Sequence, residues 1–576
     1  MPTLNWIGKD KVVNHHLDVP FRVLEEQYTY GDNADGNIII HGDNLDALKA
    51  LLPRFEGRVK CIYIDPPYNT GNEGWVYNDN VNDPKIRKWL GKVVGSEGED
   101  LSRHDKWLCM MYPRLKLLQK LLAEAGVIFI SIDDTEYANL KAICDEIFGL
   151  NCFVSNISWQ RTYSTRNDSK GIVNEVEHIL VYSKTPNWSP NKLPRTAEMD
   201  SKYKNPDNDV ALWRSDNAYA ADASTHQGMV YAIQHPFTGE MLYPSNGAHW
   251  RYNQEEMLKA MRGWCDYELR ELNDTHRRAV ICGVSDEEVR QGVKAIVLAD
   301  TLEVSAQKAK QVYDRGPWPK FFFSKGGLGG IARKTYLAQV GGKLPTNFWP
   351  FADTGHTDEA KKEILSIFDG RMTFDTPKPS RLIEFVLRIA GDEKTIVLDS
   401  FAGSGTTAHA VLNMNKRDGG HRRFILVETE NYAESITAER VRRVITGYGE
   451  GKKAVEGTGG GFSFYELGAP LMIDGNLNPD VSEARIREYV YYTETKLPMP
   501  PASEAEPHLL GVHNRAAYYF YYLPDAVTTL NEEFLRTVRT DADSYMIYAD
   551  INALDEATMK RHHITFKKIP RDITLL

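Results

Sequence analysis

Cys61-Ile62-Tyr63-Ile64-Asp65-Pro66-Pro67-Tyr68-Asn69-Thr70-Gly71-Asn72 is the stretch from which the rest of the chain can be read. Cys61 to Ile64 is a short apolar run that stops at a carboxylate. Such a run predicts a strand buried on both faces, as in a parallel sheet, with Asp65 at its carboxyl end. Open α/β sheets take their ligands at that end. Pro66 and Pro67 fix their own φ angles and hold the preceding residue towards extended geometry. Neither has an N–H, so the turn offers carbonyls that only accept. Tyr68 sets a flat ring beside them. An acid, a bare carbonyl and an aromatic face suit the exocyclic amino group of a flipped nucleobase. The ring stacks on the base and the oxygens accept its N–H hydrogens. A plain strand followed by a Pro-rich turn has the same letters, so the reading needs a second segment.

That segment lies more than three hundred residues downstream. Thr395 to Leu398 predicts a strand, followed by Asp399-Ser400-Phe401-Ala402-Gly403-Ser404-Gly405-Thr406-Thr407, a helix, and the strand Phe424 to Val427 with Glu428 at its end. Strand, glycine turn, helix, strand, acid is a nucleoside-binding arrangement, in which glycines let the backbone turn tightly against the ligand. Glu428 is placed to take both ribose hydroxyls. The third glycine of a G-x-G-x-x-G is replaced by Ala408, and no basic residue follows as in a phosphate-binding loop. The turn therefore suits a ligand without a pyrophosphate, such as S-adenosylmethionine. Upstream, Asn37 to Ile40 predicts a further strand, leading to His41-Gly42-Asp43-Asn44. Asp43 can accept from an adenine amine or cap the helix that follows.

The chain has 576 residues and a net charge of -10. That charge argues against nucleic acid only as a whole-molecule sum, since a DNA binder needs a local basic surface. No apolar run is long enough to cross a bilayer, and the start has no leader pattern. Six cysteines without a C-x-x-C pair read as reduced thiols rather than a zinc site, and no metal is expected. These features point to the cytoplasm. The expected divisions are an N-terminal extension at 1–35, an α/β half at 36–185, an insertion at 186–348 of mixed composition, a second α/β half at 349–448, a Gly-rich linker at 449–461, and a C-terminal domain at 462–576. Within the insertion, helices are expected around Asn253–Met261 and Asp286–Gln291, and a hairpin around Gln234–Gly239. The polar loop 69–104, with Trp75, Tyr77 and Trp89, and the basic segment Arg161 to Arg166 are expected to be exposed.

The two segments together resemble the β class of amino-group DNA methyltransferases, in which the catalytic half precedes the cofactor half. Further matches resemble the modification subunits of type III restriction systems. They are His41-Gly42-Asp43-Asn44, Tyr63 to Gly71, Val76-Tyr77-Asn78-Asp79, Gly355 to Lys362, and Thr376-Pro377-Lys378-Pro379. The resemblance implies a Rossmann-like α/β methyltransferase fold of mostly parallel strands with circularly permuted motif order. The insertion would be the target-recognition domain and the C-terminal domain a small α+β unit. It implies that Asp65, Pro66, Pro67 and Tyr68 are catalytic. Asp43, Asp65, Lys378, Asp399, Ser400, Phe401, Gly403, Gly405, Thr406 and Glu428 would hold S-adenosylmethionine. Asn69, Tyr77, Arg161 and Arg166 are the candidate DNA contacts. The implied partners are double-stranded DNA, a second copy of the chain, and a restriction subunit carrying helicase and nuclease activity. The implied location is the bacterial cytoplasm, at the nucleoid when DNA is bound.

The implied reaction is site-specific methylation of adenine N6 with the base flipped out. Methylation of cytosine N4 uses the same geometry. The residue before Pro-Pro is more often serine in family members with that activity, so Asp65 favours adenine. Two further alternatives are a DNA-binding specificity subunit serving mainly a restriction partner, and methylation of RNA or protein amines.

Overall fold

The computed structural model describes residues 3–32, 34, 36–70, 103–163, 171–570 and 572–573. Tyr77, Arg166 and most of the polar loop lie outside the described residues. Two compact units are present, one formed by Met1–Asn191 with Pro345–Leu576 and the other by Lys192–Leu344.

The first unit is built on one ten-stranded sheet. In chain order its strands are β1 (Arg22–Gly31), β2 (Ile38–His41), β3 (Val59–Ile64), β4 (Leu122–Ile132), β5 (Phe153–Gln160), β6 (Val176–Ser183), β7 (Phe348–Trp349), β8 (Ile396–Asp399), β9 (Arg423–Glu428) and β10 (Gly461–Pro470). They lie in the order β1-β10-β2-β9-β8-β3-β4-β6-β5-β7. The six from β10 to β4 are parallel. The central strands are mostly apolar because they are covered on both faces: every residue of β8 is buried, and so are five of the six in β3.

Helices α1 (Asn44–Phe55), α2 (Arg103–Leu121) and α3 (Tyr137–Phe148) bury Leu48, Leu51, Leu115, Leu118, Ile143 and their neighbours in one core with β3 and β4. Helices α4 (Ser380–Ala390), α5 (Thr406–Asp418) and α6 (Glu439–Thr446) follow in the second half. The connection out of β8 leads to β9 on one side, and that out of β3 leads to β4 on the other. The sheet reverses its winding between β3 and β8, and a ligand crevice forms at such a point. Register pairs Val397 with Cys61 and Leu398 with Ile62, so Asp65 and the glycine turn leave the same edge of the sheet from adjacent strands.

The sheet is wider than the sequence suggested. Residues 22–31, placed in the N-terminal extension, form β1, and residues 461–470, from the end of the expected linker into the expected C-terminal domain, form β10 between β1 and β2. An edge strand carrying Glu25-Glu26-Gln27 has no apolar run to betray it, and its partner lies over four hundred residues away. The remaining C-terminal residues form a four-stranded sheet, Leu509–His513, Ala516–Phe520, Ser544–Ala549 and Ile564–Lys568, with helix Glu483–Thr495.

The second unit has an aromatic core of Trp213, Tyr231, Trp250, Trp264 and Phe321–Phe323 under several short sheets. Ile233–Gln234 and Met241–Leu242 form the expected hairpin. Asn253 caps a helix over Gln254–Met261. No helix forms at Asp286–Gln291, where Ser285 and Glu288 close a single turn; the helix lies earlier, at Thr275–Cys282. Val284 and Val289 give the later segment too little apolar surface to anchor one. Among the described residues no helix is long and apolar enough to cross a membrane.

Candidate active site

At the end of β3, the turn is locked from behind. The buried Trp107 indole donates to the Pro67 carbonyl at 2.7 Å. Asn69 adopts φ 59°, is fully buried, and donates to Glu136. Asn69, a candidate DNA contact, is thus held inward by its side chain two residues after Pro67, in a left-handed conformation that asparagine tolerates. The same Glu136 accepts from Asn139 at 2.7 Å and faces His104 Nδ1 at 2.6 Å.

Asp65 is 25% exposed. Lys378 Nζ donates to its two oxygens at 2.8 and 2.7 Å and to the Tyr68 hydroxyl at 2.9 Å. The single proton of the Tyr68 hydroxyl has two acceptors in reach, Asp65 at 2.8 Å and Glu177 at 3.2 Å. Glu177 accepts from Arg161 at 2.8 Å and lies 3.5 Å from Lys378. Arg161, a candidate DNA contact, is half-buried and pairs with a buried acid. Burial pushes the Asp65 carboxyl above its ordinary range, against the pull of Lys378. Burial also works against the charge on Glu177 and Lys378, yet each ends on the ionised side through the other charges: Lys378 and Arg161 hold Glu177 low, and Asp65 and Glu177 hold Lys378 high.

At the end of β8, Asp399 accepts from Phe401 N–H at 3.1 Å and from the Thr407 hydroxyl at 2.6 Å. Gly403 has φ +51° and Gly405 φ +83°. A Cβ on Gly403 would stand 3.1 Å from the Phe374 ring, and one on Gly405 3.0 Å from the Thr437 carbonyl. The Gly403 N–H donates to Glu428 at 2.7 Å, and its carbonyl accepts from Thr437 at 2.6 Å. Thr437 belongs to a π-helical turn, Ala433–Ala438, entering α6. Burial pushes both Asp399 and Glu428 up to about 7. The Ser400 hydroxyl is buried without a hydrogen-bond partner among the described residues. Asp43 caps α1 by accepting from Leu45 N–H at 2.8 Å. Glu428 is level with His41 across β9 and β2, and its carbonyl accepts from Gly42 N–H, so Asp43 stands beside it.

Residues of both turns line one cleft, including Asp65, Lys378, Asp399, Phe401, Gly403 and Thr406. Two residues that build it carried no signal in the sequence: Glu177, and Arg440, fully buried and donating to Ser404 and Thr406 at 2.8 Å. Asn44, quoted in the sequence only as part of His41-Gly42-Asp43-Asn44, donates its amide to the Ser400 carbonyl at 2.9 Å. Lys378 stands in the sequence as a candidate cofactor residue within Thr376-Pro377-Lys378-Pro379, with nothing there to indicate its contact with Asp65.

A family model described as DNA methylase matches residues 59–439. The chain is 32% identical to the Type III restriction-modification enzyme StyLTI Mod subunit of Salmonella typhimurium, over 77% of this chain and 62% of that one. It is 27% identical to the Type III restriction-modification enzyme EcoPI Mod subunit of Escherichia phage P1, over 74% and 63%. It is 30% identical to the Type II methyltransferase M.KpnI of Klebsiella pneumoniae, over 69% and 82%. The chain thus spans a little under two thirds of the length of the type III relatives it matches.

Proposed function

Because the chain belongs to the DNA methylase family, we propose that it moves a methyl group from S-adenosylmethionine to adenine N6 in double-stranded DNA, at a specific site and on a flipped base. The observation that carries this reading is the pairing of β3 with β8, from which Asp65 and the glycine turn enter one cleft. Asp65 and the Pro66 carbonyl accept the two amine hydrogens, since Trp107 takes the carbonyl of Pro67. Two acceptors on those hydrogens draw the nitrogen lone pair out of conjugation with the ring, while Tyr68 stacks on the base. Asp65 also stabilises the positive charge that grows on the nitrogen.

The second turn fits the cofactor. Two buried acids, an unpartnered serine hydroxyl and two glycines suit a cationic, hydroxyl-rich ligand lacking a pyrophosphate. Glu428 would take the ribose, Asp43 the adenine amine, and Asp399, Ser400, Phe401, Gly403, Gly405 and Thr406 the amino-acid half. When bound, S-adenosylmethionine supplies an electrophilic methyl on a sulfonium. The chain's part is orientation and electrostatics.

Residues 186–348 are the target-recognition region, and the C-terminal residues contact a second copy of the chain or a restriction partner with helicase and nuclease activity. The protein acts in the bacterial cytoplasm as a type III modification subunit. The aspartate that stands before Pro66-Pro67, where a serine would favour cytosine N4, supports the adenine reading. Sequencing DNA from cells with and without this protein tests it. N6-methyladenine at one sequence motif is expected only where the protein is present. N4-methylcytosine, or no new modification, would overturn it.

A further inference from the structure

We propose that Glu177 is a positioning residue of this site: it fixes the Tyr68 ring through the phenolic hydroxyl and takes the Lys378 ammonium off Asp65 when a target amine arrives. The inference rests on the reading of Asp65 as the amine acceptor.

One ammonium bonds both oxygens of Asp65, at 2.8 and 2.7 Å. An entering amine needs at least one of those oxygens. As it is methylated it becomes cationic, and a second cation on the same carboxylate would oppose the charge growing there. Lys378 therefore has to let go of Asp65. Sending it into solvent would leave the buried Glu177 and the partly buried Asp65 facing Arg161 alone, and an uncompensated buried charge is expensive. Glu177 removes that cost. Its side chain is 8% exposed, and Lys378 Nζ already stands 3.5 Å from its Oε2. A shift of under about 1 Å brings that contact to hydrogen-bond length. The acceptor does not move, because Arg161 and the Tyr68 hydroxyl hold it at 2.8 and 3.2 Å.

The fold explains how Glu177 comes to be there. β6 runs antiparallel to β4 with His178 opposite Ile132, so the start of β6 lies at the same edge as the carboxyl ends of β3 and β4. The pocket then holds two acids, Asp65 and Glu177, and two cations, Lys378 and Arg161. The hydroxyls of Tyr63 and Tyr68 face them, and the charges of Asp133 and Asp399 act from farther off. Lys378 can pass between the acids without changing the charge of the pocket. Glu177's charge pushes the Asp65 carboxyl up and that of Lys378 pulls it down.

The test is a double-mutant cycle of Glu177→Gln and Lys378→Met, reading tritium transfer from labelled S-adenosylmethionine to unmethylated DNA across pH, with cofactor affinity by calorimetry and melting temperature beside it. Glu177→Gln is expected to lower kcat about 10- to 100-fold, with cofactor affinity near wild type. Its acid limb of kcat should move to lower pH, because Asp65 loses a neighbouring negative charge and keeps its lysine. Lys378→Met should move the acid limb to higher pH. In the Lys378→Met background, Glu177→Gln should cost little, since no ammonium remains to be displaced. An equal cost in both backgrounds, or an acid limb that stays put in Glu177→Gln, would overturn the proposal. Should Glu177→Gln not fold, an unmoved limb in Lys378→Met overturns it, and an upward move supports it. If the wild-type protein transfers no label to any DNA, the methyltransferase reading falls with it. Transfer by the wild type with an additive cycle removes the Glu177 role alone.

Discussion

Asp65 at the end of β3 and the pair Asp399 and Glu428 at the ends of β8 and β9 line neighbouring parts of the sheet edge, and they are compensated in opposite ways. Asp65 is bonded by a lysine whose side chain is 10% exposed, with an arginine one residue further out. Asp399 and Glu428, each 3% exposed, make no ion pair among the described residues and rely on backbone N–H groups and a threonine hydroxyl. The difference follows what each has to receive. A nucleobase amine is neutral, so its acceptor must be ionised before it arrives, and a resident cation secures that. A sulfonium cofactor carries its own positive charge, so acids waiting for it need no protein cation and sit with carboxyls near 7.

The most severe break in this comparison is Asp65→Ala. It removes the acceptor on one side and leaves the other side intact. Methyl transfer should fall about 10²- to 10³-fold or more, by the scale of a lost transition-state acceptor, while calorimetric affinity for S-adenosylmethionine stays close to wild type. Retained activity would place the amine elsewhere. The counterpart on the cofactor side is Gly405→Ala. Its φ of +83° and the Thr437 carbonyl 3.0 Å from the new Cβ impose a left-handed cost of about 1–2 kcal/mol. Cofactor affinity should weaken roughly tenfold, with kcat at saturating cofactor changing less than in Asp65→Ala.

A smaller effect is expected with pH. Burial raises Asp399 and Glu428 to about 7, above their unfolded values near 4. Between those limits the folded protein binds protons that the unfolded chain has lost. The ligand-free protein should therefore lose stability as pH rises from about 4 to 7. Cofactor binding should run the other way, weakening as pH falls through 7 and releasing protons at neutral pH. Calorimetry in buffers of different ionisation enthalpy measures that release. Binding without proton release would mean that neither acid changes its protonation on meeting the ligand.

These contrasts also mark where the sequence was readable. Asp65-Pro66-Pro67-Tyr68 and the turn from Asp399 to Gly405 were legible because each is a local device: an apolar run, an acid at its end, and backbone geometry set by proline or glycine. Their adjacency is a long-range pairing, expected only through the resemblance. Glu177, Arg161 and Lys378 are single charged residues with no periodic signal, and their meaning lies in partners up to 313 residues away. β1 and β10 escaped for the same reason, being half-polar strands whose pairing spans nearly the whole chain. The polarity of Asn69 suggests exposure, whereas its positive φ and the contact with Glu136 go with a buried side chain.

Tyr68→Phe gives the mildest and finest test of the boundary between the two regions. It keeps the ring, and with it a stacking contribution of roughly 1–3 kcal/mol. It removes a hydroxyl whose single proton is shared between Asp65 and Glu177. Each such bond contributes a net of about 0.5–1.5 kcal/mol, and Lys378 can still satisfy Asp65. The loss in kcat/KM should therefore be several-fold, well short of that in Tyr68→Ala. If Phe is as damaging as Ala, the ring's orientation depends on its hydroxyl contacts, and Glu177 counts for as much as the aromatic face. If Phe is silent, the packing around Tyr68 alone fixes the ring.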